Sequence, residues 1–312
     1  MNITRDILLT LAYFDTFSYP LKRREIYKFL PNSYSTDDFE EGLQILVSDS
    51  LVYHMGEFYS LQYNYQIIQR RIKGNERSKE LLKTAYKVSS LISRFPFVRG
   101  VAVSGSLSKN YADERSDIDL FIICSSNRLW IARTILHCFK KLTFLINKQH
   151  YFCMNYFIDE HELKIAEKNI YTATEIVTLM PLHGSAIFQQ FYATNSWTKE
   201  FLPNNYLRIS SSKELPHPFY KKAAEASFDL FAGDFVDNLL MKITSSRWAK
   251  KYRNKKLNQR GIIMSMSASK HVAKPDPKEF QQKLVAVYLA KTIEFEMLLQ
   301  NKVLINPGID LS

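Results

Sequence analysis

The sequence predicts an α+β fold in which a small mixed sheet lies between two mainly helical regions. Apolar residues recur at helical spacing through the first fifty residues. In the middle of the chain they form continuous runs, such as "DLFIIC" and "YFCMNYFI", which are typical of buried strands. With 312 residues, 46% of them hydrophobic, the chain is long enough for two or three domains.

Residues 1–65 are predicted to form a winged-helix-like domain. Three helical stretches are separated by prolines and by capping residues, and the third stretch spans 35–49. Two short strands then flank the turn at Gly56. Three helices followed by a hairpin are the pattern of a winged helix, whose third helix usually enters the DNA major groove.

The charge of the third helix argues against DNA binding. Residues 35–49 contain five acidic residues and no Lys or Arg. Phosphates would repel such a face, because non-specific affinity for DNA comes largely from neutralising them. DNA binding by residues 35–49 is therefore disfavoured, and a structural or protein-contact role is expected. A winged-helix DNA-binding regulator remains an alternative reading.

Three further regions follow this domain. Residues 66–95 form a charged amphipathic segment, interpreted as a connecting helix that Pro96 ends. Residues 96–170 hold the strand-like runs and are interpreted as the core. Residues 171–312 are predicted to form a helical domain. Tyr171, Thr172 and Glu175 open it, and capping is the expected role of these three residues.

One motif in the core carries chemistry. A strand leads into Gly105-Ser106, and ten residues later Asp117-Ile118-Asp119 opens an apolar run. Strand alternation places both carboxylates on one side, about 6–7 Å apart, where they can hold Mg²⁺ or Mn²⁺ between them. Gly105 lets the backbone approach a phosphate, and Ser106 can donate to phosphate oxygens. Lys109 is the expected charge partner of a leaving pyrophosphate.

This pattern resembles the DNA polymerase β-type nucleotidyltransferase superfamily. The chain is similar to a prokaryotic group in that superfamily with an N-terminal winged helix, a nucleotidyltransferase core and a helical C-terminal domain. The similarity covers most of residues 10–205, and its stretches are "DTFSYPL", "PFVRGVAVSGSLSKN", "SDIDLFI", "NYFID", "YTATEI" and "NSWTKEFLPN".

The resemblance implies a Mg²⁺-dependent enzyme that moves a nucleoside monophosphate from a nucleoside triphosphate, such as ATP, to a hydroxyl or other acceptor. Asp117 and Asp119 would be both catalytic residues and metal ligands, since two metals bridge the carboxylates and the triphosphate in this superfamily. The acceptor stays open between a small molecule, a protein and RNA.

The sequence departs from the superfamily where a third carboxylate is expected. On the next strand, the alternating face through Tyr151, Cys153, Asn155 and Phe157 contains no acid. Asn155 is the best positional candidate for lining the site, but an amide cannot accept a proton at neutral pH. Either the third acid is dispensable, or another base acts, or the protein is a nucleotide-binding regulatory protein that does not turn nucleotide over.

Charge and cysteine content suggest where the protein works and what it binds. The net charge is +11, and residues 242–260 contain eight Lys/Arg, no acid, and both Trp248 and Tyr252. Such a stretch could hold RNA or another anionic polymer, or it could be a solvated helix face. Three cysteines without zinc or redox spacing indicate a reduced, cytoplasmic protein. No apolar window is long enough to predict a membrane span.

Overall fold

The computed structural model describes residues 2–114, 116–205, 212–230, 233–255, 266–275, 284–294 and 297. Within these ranges the chain is a mixed α+β fold, as the sequence predicted, with a three-stranded and a six-stranded sheet. The final part of the basic stretch, 256–260, lies outside the described residues, as does much of the C-terminal region after residue 275.

The N-terminal unit packs three helices against a small antiparallel sheet. Its elements are α1 (Ile3–Asp15), β1 (Leu21–Lys22), α2 (Arg23–Lys28), α3 (Thr36–Ser48), β2 (Tyr53–Met55) and β3 (Phe58–Ser60). Ser35 caps α3 by accepting from the backbone N–H of Asp38. Apolar residues at helical spacing on α1 and α3 form the core of this unit, among them Ile7, Leu11 and Leu43.

The connecting segment is one long helix, α4 (Tyr65–Ile92), which links the N-terminal unit to the larger sheet. Arg71 lies on its buried stripe with only 1% of its side chain exposed. The guanidinium pairs with Glu25 at 2.7 Å and lies 3.7 Å from the ring centre of Tyr19. Because a buried guanidinium needs such partners, these contacts fix the N-terminal unit on α4.

The larger sheet has the strand order β7-β4-β5-β6-β9-β8. Its strands are β4 (Val98–Val103), β5 (Asp119–Cys124), β6 (Cys153–Asp159), β7 (Met180–His183), β8 (Met266–Ala268) and β9 (Val272–Pro275). Strands β5 and β6 are parallel and every other pair is antiparallel. The parallel pair is joined by a helical crossover through α6 (Leu129–Thr143), as a parallel connection requires.

Each face of this sheet carries its own hydrophobic core. On one face Val103, Leu120 and Ile122 pack with residues of α4 and α6. On the other face Phe121 and Ile123 pack against α7 (Ile170–Thr178) and α8 (Ser185–Thr194). The sheet is therefore covered on both sides.

The region predicted to be a helical domain contributes three strands to this sheet. Strands β7, β8 and β9 all follow residue 170, so the expectation of helices from residue 171 onward was wrong for them. Each has only three or four residues, and prolines in β7 and β9 resemble helix punctuation. Pro181 fits β7 because β7 is an edge strand, where a missing N–H is tolerated.

The described part of the C-terminal region also contains helices that follow α8. They are α9 (Phe219–Leu230), α10 (Gly233–Arg253) and α11, which spans residues 284–294. Leu284 of α11 is buried in the core of the N-terminal unit, so this part of the chain returns to residues near its start. Across the described residues, none of the helices combines the length and apolarity needed to cross a bilayer.

Candidate functional site

Asp117 and Asp119 lie at and just before the start of β5. Ile118 between them is fully buried, whereas both aspartates are half-buried. This burial pattern is the one that alternation along an extended chain produces. The charges of both carboxylates raise the pKa of the Cys153 thiol, so the two acidic groups lie near one side chain.

The Gly105 turn lies directly against Asp119. Gly105 has a φ of +66° and begins the four-residue helix α5 (Gly105–Ser108). A Cβ on this residue would lie 2.8 Å from Asp119 Oδ2. The preceding residue, Ser104, donates its N–H to the Asp119 carbonyl at 2.9 Å. Both the backbone angle and the space beside the carboxylate therefore require glycine here.

The other two residues of the predicted phosphate cradle differ in their surroundings. Ser106 is exposed at the turn, where a ligand can reach its hydroxyl. The Lys109 ammonium instead donates to the Gly105 carbonyl at 3.2 Å and to Glu175 Oε1 at 2.8 Å. Its side chain is only 17% exposed. The cation that was expected to meet a pyrophosphate is thus held beside the turn by a carboxylate.

Asn155 reaches Asp119 through an irregularity in β6. Leu120 pairs with Met154 and Phe121 pairs with Tyr156, so Asn155 is an extra residue in the ladder. Its exposed amide donates to Asp119 Oδ1 at 3.0 Å. Asn155 therefore lines the site as a hydrogen-bond donor that orients a carboxylate.

The same irregularity changes which residues share a face of β6. Simple alternation put Phe157 on the face of Cys153 and Asn155, but Phe157 packs in the opposite core with Leu120. The acid at the end of this strand, Asp159, is fully buried away from the site. It accepts from two backbone N–H groups and pairs with a histidine, so it ties loops together and completes no carboxylate set at Asp119.

Cys153 is a neutral thiol beside the two aspartates. Burial raises its pKa to about 12, and the nearby charges of Asp119 and Asp117 act in the same direction. Lys140 on α6 opposes them, which places a cation close to the site that the sequence motif does not contain. A thiol with this pKa stays protonated at neutral pH and is a poor metal ligand or nucleophile.

Glu175 and Tyr171 belong to the site, although the sequence favoured a capping role for them. The cap of α7 is Asn169, whose side chain accepts from the Thr172 N–H at 2.9 Å. Burial raises the pKa of the Tyr171 phenol, and the charges of Glu175 and Asp119 raise it further. The carboxylates of Glu175 and Asp119 therefore both lie near the Tyr171 phenol. Glu175 adds an acidic residue from helix α7 to Asp117 and Asp119.

Asp117 and Asp119 are the side chains at this site that could contribute to holding a metal ion. Among the residues that the structure describes, no three or more His, Cys, Asp or Glu are grouped so as to hold a metal ion by themselves. Asp117 and Asp119 supply two carboxylates, and Mg²⁺ usually binds through one or two carboxylates together with water and substrate phosphates. The donor set therefore fits Mg²⁺ with a bound phosphate, and does not fit a permanent, all-protein metal centre.

Comparison with known proteins adds no relative. No family model, no curated protein and no solved structure matches this chain.

Proposed function

We propose that the protein is a Mg²⁺-dependent nucleotidyltransferase that moves a nucleoside monophosphate from a nucleoside triphosphate to a hydroxyl or other acceptor. The observation that carries the proposal is the contact between Gly105 and Asp119. A left-handed glycine turn packs against a half-buried carboxylate, in a space that no side chain can enter. Such a turn lets phosphate oxygens come close to the carboxylate. Because both groups are negatively charged, their approach is favourable only when they share a cation.

Each residue near this contact has a role in the proposed reaction. Asp117 and Asp119 hold the metal, which when bound would stabilise negative charge on the triphosphate. Asn155 keeps the Asp119 carboxylate in place through its 3.0 Å hydrogen bond. Ser106 donates to a phosphate oxygen, and Lys109 leaves Glu175 to neutralise the departing pyrophosphate.

The pairing of Lys109 with Glu175 supports a role for Glu175 as the general base. In the structure the Glu175 carboxylate is engaged by the Lys109 ammonium in a 2.8 Å ion pair. When the triphosphate draws Lys109 away, Glu175 is released and can take the proton of the acceptor hydroxyl. This would supply the third acid that β6 lacks, from a helix on the same side of the site.

The domain assignment is also a proposal. The order of α1, α2, α3 and the β2–β3 hairpin supports a winged-helix-like unit. Asp37, Asp38 and Glu41 on its third helix are all exposed, which supports a protein-contact role over DNA binding. The three cysteines are unpaired, which favours a reducing compartment such as the cytoplasm.

A second candidate function is nucleotide binding without turnover, in a regulatory protein. Asn155 favours it, because the residue bonded to Asp119 is an amide that cannot accept a proton. Under this alternative the protein binds Mg²⁺ and a nucleoside triphosphate, and releases no pyrophosphate.

The experiment incubates the protein with each α-labelled nucleoside triphosphate, with Mg²⁺ or Mn²⁺, and with pooled cell extract. We expect label to appear in a sugar, protein or RNA fraction together with released pyrophosphate, and to be lost in the Asp117→Ala/Asp119→Ala variant. Binding by calorimetry with no pyrophosphate release under any condition would instead establish the second candidate. Equal label transfer by the double variant would refute the proposed site.

A further inference from the structure

A groove of about 640 Å³ lies between α4 and the loop that leads to the two aspartates. Its volume is in the range of ordinary ligand sites. The loop is anchored to the helix, because the Ala112 N–H donates to the Gly74 carbonyl at 3.1 Å and the Tyr111 ring packs onto Gly74. The groove is therefore preformed by backbone contacts and does not depend on a ligand to shape it.

Three basic residues form a stripe along one wall of this groove. Arg70, Lys73 and Arg77 follow one another at helical spacing on α4, and all are exposed. Arg70 is oriented by a 2.7 Å hydrogen bond from its Nε to the Tyr111 hydroxyl. Glu114 on the opposite wall pairs with Arg77 at 2.7 Å and holds that side chain across the opening. The stripe presents cations at intervals that suit successive phosphates.

Exposed tyrosines continue the groove beyond its basic stripe. Tyr65 lines the groove and is 58% exposed, and its neighbour Tyr63 is 69% exposed. Their ring centres are 5.8 Å apart, and Tyr63 lies 5.5 Å from Tyr53. Large aromatic rings are seldom left in water in a contiguous row unless they contact a partner. Cations beside exposed rings are the combination that holds phosphates and stacked bases of a single strand.

The other end of the groove approaches the candidate site. Asp113 and Glu114 line the groove, and Asp117 follows Glu114 by three residues. Three residues of extended chain span no more than about 11 Å, so a strand lying on the stripe would have its end close to the carboxylates.

We propose that this groove binds single-stranded nucleic acid, with phosphates on the basic stripe of α4 and bases stacked on Tyr63 and Tyr65. The strand is then positioned as the acceptor. That acceptor role rests on the proposed nucleotidyl transfer, whereas the binding itself does not. A single strand can keep its phosphates on the basic wall and away from Asp113, whereas a duplex carries phosphates on two strands and exposes no unstacked bases to the tyrosines.

The basic part of α10 is a weaker candidate for the same role. Trp248 packs inward, with its ring centre 5.8 Å from Trp130 and 4.5 Å from the Arg133 guanidinium. Within the described part of residues 242–260 this leaves Tyr252 as the exposed aromatic ring. The helix therefore offers charge without a row of stacking surfaces.

The test measures fluorescence anisotropy of labelled 12-nucleotide RNA and DNA single strands and of the matching duplexes. It uses the full chain in EDTA without nucleotide, so the outcome does not depend on metal, triphosphate or turnover. We expect Lys73→Glu and Tyr65→Ala each to weaken single-strand binding about fivefold or more, and Lys73→Glu to reduce the salt dependence. Both side chains are exposed, so unchanged thermal unfolding should verify that the variants fold.

A control variant separates this groove from the other basic surface of the chain. Lys250→Glu/Lys251→Glu alters α10 and should leave single-strand binding within twofold of the unaltered protein. The proposal is overturned if the groove variants bind as tightly as the unaltered protein, if only the α10 variant loses binding, or if duplexes bind as well as single strands.

Discussion

Replacing Gly105 with alanine tests the contact between the turn and Asp119. The added Cβ would lie 2.8 Å from Asp119 Oδ2, which is too close for a stable contact. The carboxylate must move by several tenths of an ångström, and its 3.0 Å hydrogen bond from Asn155 is then strained or lost. The variant also has to keep a φ of +66°, which disfavours any residue with a Cβ.

Gly56 provides a matched control for the backbone part of this change. It has a φ of +64° in the β2–β3 turn, and a Cβ there would meet nothing within 4 Å. Gly56→Ala should therefore cost about 1–2 kcal/mol in the free energy of unfolding through backbone strain alone. Gly105→Ala should cost that amount and about 1 kcal/mol more, because a hydrogen bond to a carboxylate is disturbed as well.

The assay combines urea unfolding with calorimetric titration of Mg²⁺ and a non-hydrolysable nucleoside triphosphate. We expect triphosphate affinity to fall at least tenfold in Gly105→Ala and to be unchanged in Gly56→Ala. If both variants lost the same stability and both kept full affinity, the Gly105 turn would have no part in the site, and the assignment of the phosphate cradle would be refuted.

Three other variants test separate parts of the structure. Burial raises the pKa of Asp237 to about 6, so its folded state binds a proton more tightly than the unfolded state. The difference in unfolding free energy between the unaltered protein and Asp237→Asn should therefore fall by about 2–3 kcal/mol as the pH rises from about 4 to about 6. A difference that does not change with pH would contradict this. Asp159→Ala should lower the unfolding free energy by about 3 kcal/mol or more, because two backbone N–H groups and a histidine lose their buried acceptor. A loss below about 1 kcal/mol would show that water replaces the carboxylate. Glu175→Gln should lower turnover at least tenfold without weakening triphosphate binding, because an amide cannot take the acceptor proton and Lys109 no longer has to leave an ion pair. Undiminished turnover would exclude Glu175 as the base.

The sequence predicts those helices and strands whose pattern of apolar and capping residues lies within one short stretch of the chain. The three helices of the N-terminal unit carry apolar stripes and capping residues, and the structure has them as α1, α2 and α3. The strands before and after the Gly105 turn are continuous apolar runs, which are stable only when both faces of the strand are covered. The buried Ile118 between two half-buried aspartates also follows from the strand period, which alternates the environment of successive residues.

Features set by long-range pairing could not be read from the sequence. Strands β7 and β9 pair with β4 and β6, which lie far away in the sequence, while β8 joins the sheet by pairing with its neighbour β9. The few residues of each strand carry no periodic pattern of their own. The extra residue at Asn155 depends on the register with β5, which a single strand does not reveal. Glu175 reaches the site only because α7 packs beside the Gly105 turn, so its pairing with Lys109 depends on tertiary structure.

The most direct test of the central claim is Mn²⁺ binding followed by electron paramagnetic resonance, in the presence and absence of a non-hydrolysable nucleoside triphosphate. We predict weak binding of Mn²⁺ alone, clear binding when the triphosphate is added, and loss of that signal in both Asp117→Asn and Asp119→Asn. Triphosphate-dependent Mn²⁺ binding that persists unchanged in both variants would show that these two carboxylates do not share a cation.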